Sequence, residues 1–240
     1  MCQSANTSIV AWLVAVVIAM LMLTTGKKNA KWNAFFILTF IAIQLLEFFV
    51  WRGRKGARLS TSATEATLAG CGSEKNQGSG DGLVRLILIG LWLQPLVQTY
   101  MGYKYGSGYK PQLLIITIVY FVMFLWSITE ALDTDAEFKA TPVTCLEKST
   151  GHLTWHRSNS PTGFVGPGPA AHLYLLGLFL GLFFMTPTLF GIILTVVGGV
   201  MVGLTAKFTG RGEFASMWCL YAIFYAIVAF IMAHSRRAQV

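Results

Sequence analysis

Residues 32–51 read WNAFFILTFIAIQLLEFFVW, a run of twenty residues in which Glu47 is the one ionisable side chain. Twenty helical residues rise about 30 Å, the thickness of a bilayer's hydrocarbon core, so this stretch predicts a transmembrane helix. Gln44 and Glu47 stand three apart and therefore share one helix face. Against lipid that face would be costly, which points it toward other helices.

The rest of the chain carries the same pattern. Of 240 residues, 55% are hydrophobic and 12% charged, against roughly 25% charged in soluble domains. Long apolar runs near 8–25, 32–51, 84–102, 112–132, 170–186, 188–206 and 214–234 predict an all-α polytopic membrane protein, one domain of seven transmembrane helices over 1–240. The first run lacks a basic leader and is followed by Lys27, Lys28 and Lys31, which favours a retained helix over a cleaved signal. Two long loops, 52–83 and 133–169, lack the apolar periodicity of a further domain.

The formal charge of +8, from 18 Lys and Arg against 10 Asp and Glu, would suggest nucleic acid in a soluble protein. Here it predicts cationic loops beside anionic lipid, with no nucleic-acid partner. Basic residues flank both ends of the spans, so they define no orientation and no particular membrane.

Threading seven spans gathers most intramembrane polar residues toward the face shared by the N-terminus and the two long loops. Glu47, Glu130, His172, Lys207, Glu213 and Ser216 lie at that end of their spans. Gln94 and Gln98 lie deeper, one turn apart, beside Pro95, a residue able to kink a helix. Together they predict a one-sided polar cup for a small polar solute or ion, used in transport or sensing, with His152 and Trp155 as a lid. The ligand-binding set is Glu47, Gln94, Gln98, Glu130, His152, Trp155, Glu213 and Ser216. Each has a plainer reading. Glu47, Glu130 and Lys207 can snorkel to an interface, and the two glutamines can be interhelical glue.

Other patterns open further readings. His152 and His156 would face one way on a helix and, with Cys145 or a glutamate, form a loosely spaced metal set, while Cys145, His152 and Glu213 are the candidate nucleophile, base and orienter, or the metal ligands, of an intramembrane enzyme. Cys71 and Cys145 are a disulfide pair if their loops face an oxidising compartment. Gly177-x-x-x-Gly181 and Gly199-x-x-x-Gly203 predict close packing within the 170–206 hairpin or assembly into a homo-oligomer. Trp12, Trp32, Trp51, Trp126 and Trp218 read as an aromatic belt. No cofactor is implied, and no catalytic residue is assigned.

The set Gln44-x-x-Glu47, Gln94-Pro95, Cys145 followed by Gly151-His152-Leu153-Thr154-Trp155, and Glu213-x-x-Ser216-x-Trp218-Cys219 resembles an uncharacterised family of seven-span membrane proteins from protists, algae, bacteria and large DNA viruses. The resemblance implies seven spans and supplies no activity. Better-known seven-span classes fit poorly. Span seven has no lysine for a retinal Schiff base, the histidine pair lies in a loop rather than a late helix, and no triple-helix repeat or receptor-type motif is visible.

Overall fold

The computed structural model describes residues 5–52, 81–106, 108–133, 138–142, 153–157, 169–184, 188–208 and 218–234. They form seven helices and one two-stranded ribbon. The helices are α1 (Ala5–Thr24), α2 (Lys28–Arg52), α3 (Asp81–Tyr105), α4 (Lys110–Leu132), α5 (Pro169–Phe183), α6 (Thr188–Phe208) and α7 (Trp218–His234). Helices α1 to α4 are long and apolar enough to cross a membrane. The other three carry shorter apolar segments, at His172–Phe183, Gly191–Val200 and Ala222–His234, among the described residues.

Local chemistry explains where the helices stop. At the end of α1 the hydroxyls of Thr24 and Thr25 donate to the carbonyls of Leu21 and Met22, each at 2.7 Å. Gly26 then takes a left-handed φ of 70°, the backbone state glycine reaches at least cost and the usual terminator of a helix. Helix α2 begins two residues later, so α1 and α2 pack as an antiparallel pair. Between α3 and α4 the turn ends on Tyr109, left-handed at φ 53°, followed by Lys110 and a proline in the first turn of α4. Proline is tolerated there because the first helical N–H groups have no intrahelical acceptor. Arg85, at the start of α3, donates from Nη1 to the carbonyls of Ala131 and Asp133 at 2.6 Å each, satisfying the exposed end of α4.

Helices α2 and α3 form the centre. Helix α1 and helix α7 pack on α2, while α4 and α5 pack on α3; α6 joins α5 to α7. Trp32 of α2 is fully buried rather than placed in an aromatic belt. Its Nε1 donates to the Gln98 carbonyl at 2.8 Å. Its ring occupies the space beside Gly102, where a Cβ would come within 2.5 Å of Cζ2. Around Trp92, also fully buried, stand Tyr120, Trp126 and Tyr174, with ring centroids 6.2 to 6.3 Å away.

The structure revises or sharpens several expectations here. The 133–169 segment is not wholly loop, because β1 (Phe138–Pro142) pairs antiparallel with β2 (Leu153–Arg157), a short ribbon added to an otherwise helical fold. The five-residue alternations FKATP and LTWHR carry the period of two that a short strand needs. His156 consequently lies on a strand, opposite Lys139, rather than on a helix. The glycines of α5 allow close approach to other helices: a Cβ at Gly177 would overlap the Tyr120 ring of α4, and one at Gly181 would overlap the Gln98 stem of α3. Gly199 meets nothing within 4 Å. Element ends also differ by a few residues. Helix α5 stops at Phe183 instead of 186.

Candidate functional site

The buried polar residues of α2 lie on one face. At about 100° per residue, Asn33, Phe40, Gln44 and Glu47 point within about 40° of a common direction. Asn33 and Glu47 are fully buried and Gln44 is 1% exposed. The face turns toward α3, because Gln94 Nε2 donates to the Phe40 carbonyl at 3.4 Å. Gln94 and Gln98, one turn apart on α3, are equally buried. Two facing helices thus bring Gln44, Glu47, Gln94 and Gln98 into the same interior.

The other interior helices supply hydroxyls. Tyr174 of α5 donates its OH to Gln94 Oε1. Tyr225 of α7 donates to Asn33 Oδ1 at 2.5 Å, and Asn33 Nδ2 donates to the Asn29 carbonyl at 2.9 Å. With both its amide atoms engaged, Gln94 joins α2, α3 and α5. Gln98 differs: neither Nε2 nor Oε1 of its side chain has a hydrogen-bond partner among the described residues. Only its backbone carbonyl is engaged, by Trp32.

The polar set reaches well beyond one end of the helices. From Asn33 to Glu47 is fourteen residues of α2, a rise of about 21 Å. The Asn33 end lies beside the α1–α2 turn, where Lys27 Nζ donates to the Ala233 carbonyl at 2.8 Å and adds a cation at the negative end of α7. Glu47 lies near the opposite end of α2. Gln98 is nearer than Gln94 to the Asn33 end, since α3 runs antiparallel to α2 and both Trp32 and Phe40 fix that register.

The remaining predicted residues are placed differently. Glu130 is half-buried near the end of α4, and His172 is exposed at the start of α5. Trp155 and His156 lie in β2, and Gly203 and Lys207 lie in α6. Cys71, Cys145, His152, Glu213 and Ser216 fall outside the described residues, as do the disulfide, the lid and most of the metal set. Among the described residues no three His, Cys, Asp or Glu gather as a metal site.

Asn33, Tyr174 and Tyr225 were not singled out from sequence. Asn33 had a signal, since eleven residues before Gln44 is close to three helical turns. The two tyrosines had none, because their partners lie 80 and 192 residues away. Comparison with protein-family models, with curated proteins and with solved structures found no match.

Proposed function

We propose that the chain is an integral membrane protein whose seven helices span the bilayer and whose interior binds a small polar solute or ion, for transport or sensing. The observation that carries this reading is the inverted distribution of side chains. Gln44, Glu47, Gln94 and Gln98 are at most 1% exposed, whereas Val17 of α1, Val122 of α4, Val196 of α6 and Ile227 of α7 face outward. In water such outward apolar faces would be a large liability, and in lipid they are the solvated surface. Polar groups held within such a body are functional candidates by default. The resemblance to a seven-span family adds to the span count only.

In this reading Glu47 supplies charge or accepts a proton, and the glutamines orient the ligand. The test uses the full chain in liposomes, measuring proton, sodium and potassium flux, with thermal stabilisation by small polar solutes as a second readout. Glu47→Gln is expected to lower flux or abolish stabilisation by at least tenfold. Identical behaviour of wild type, Glu47→Gln and Gln94→Leu, with no solute stabilising any of them, sinks the reading.

A second reading is structural. It is favoured by the Tyr174–Gln94 and Tyr225–Asn33 hydrogen bonds, which each tie two helices and leave those side chains engaged. In that case the interior polar groups hold the helices together, and their removal changes stability or assembly without changing flux or ligand binding.

A further inference from the structure

The polar side chains of the interior fall into two kinds. Gln94 is engaged at both ends of its amide, by Tyr174 and by the Phe40 carbonyl. Gln98 is fully buried, and neither atom of its amide has a partner among the described residues. A buried amide left unpaired is strongly unfavourable, and native interiors keep such groups rare unless a ligand or water completes them. The same helix turn would accept an apolar residue of equal length without that penalty.

The surroundings hold Gln98 in place. Trp32 donates to its backbone carbonyl at 2.8 Å, and Gly181 brings the α5 backbone so close that a Cβ would overlap Gln98 Cγ. The stem is therefore clamped between α2 and α5 while the amide stays unpaired.

We propose that the Gln98 amide is the recognition group for a small neutral molecule that both donates and accepts hydrogen bonds, a hydroxyl or amide compound or water itself. The chemistry of the amide selects this class. A cation would satisfy Oε1 and leave Nε2 unpaired, and an anion would do the reverse; a hydroxyl or a carboxamide satisfies both. The proposal rests on the reading of a solute-binding interior and narrows it: Gln98, rather than Gln94, is the group in contact with the ligand, and the ligand at this level carries no net charge.

The experiment measures swelling of proteoliposomes holding the full chain, with acetamide, glycerol and water as probes and potassium as the ionic control. The variants are Gln98→Met, which keeps the length and removes both polar atoms, and Gly181→Ala, which displaces the Gln98 stem. Melting temperature of each protein in the absence of probe is recorded alongside. Gln98→Met is expected to melt no lower than wild type, because an unpaired amide is lost, and to slow acetamide and glycerol entry at least tenfold. Gly181→Ala slows the same probes. Loss confined to water entry supports the site with water as its occupant. Swelling of Gln98→Met equal to wild type overturns the proposal, as does a wild-type protein that moves potassium but none of the three neutral probes; that last result leaves the ion-binding interior standing. Failure of every probe in the wild type also overturns it, and the Glu47→Gln comparison then decides the broader reading.

Discussion

Tyr174 and Gln94 show what a single interior hydrogen bond does in this protein. The phenol donates to Oε1 while Nε2 reaches the Phe40 carbonyl, so one amide joins three helices. Tyr174→Phe leaves Oε1 without its donor and is expected to lower stability by about 1 kcal/mol. Adding Gln94→Leu removes the stranded acceptor, so the double variant should lose less than the sum of the two single losses. A double-mutant cycle by unfolding in detergent measures this, and strict additivity would show that the pair is not coupled. Gly102 makes the second case. Because a Cβ there meets the Trp32 ring, Gly102→Ala is expected to cost about 1–3 kcal/mol. It should also shift the tryptophan fluorescence, and an unshifted, equally stable variant would deny the close approach.

At the scale of elements, the turn between α1 and α2 concentrates several local rules. Gly26 holds a left-handed φ, and Lys27 reaches across to the carbonyl of Ala233 at the end of α7. Gly26→Ala is expected to destabilise by about 1 kcal/mol through backbone strain alone, whereas Gly26→Asn should cost less; equal losses would place the effect elsewhere. The helices themselves were legible because each is an apolar run with polar punctuation, and the Gln44/Glu47 face was legible because two polar residues at helical spacing have only one inexpensive place to go. The partners of Gln94 and Asn33 were not. Tyr174 and Tyr225 come from distant segments whose local sequence is simply apolar helix, and nothing in Gly177-x-x-x-Gly181 says that its glycines meet Tyr120 of α4 and Gln98 of α3. The β1–β2 ribbon was missed because five residues of alternation are short beside a 37-residue polar loop.

The described helices share one arrangement, apolar side chains outward and Gln44, Glu47, Gln94 and Gln98 inward, with α2 and α3 at the centre. A bilayer is the solvent that makes this arrangement favourable. Helices α1 to α4 meet the requirement for a span by length and composition, and α5 to α7 present shorter apolar segments, so the proposed seven spans depend most on the last three. Spin labels at Val17, Val122, Leu176, Val196 and Ile227, all outward-facing and near the middle of α1, α4, α5, α6 and α7, test this most directly. In the reconstituted protein, relaxation of each label by oxygen and by a water-soluble nickel chelate reports whether lipid or water surrounds it. The account predicts that all five respond to oxygen and exclude the chelate. Chelate access at Leu176, Val196 or Ile227 would contradict seven spans and leave those helices outside the bilayer.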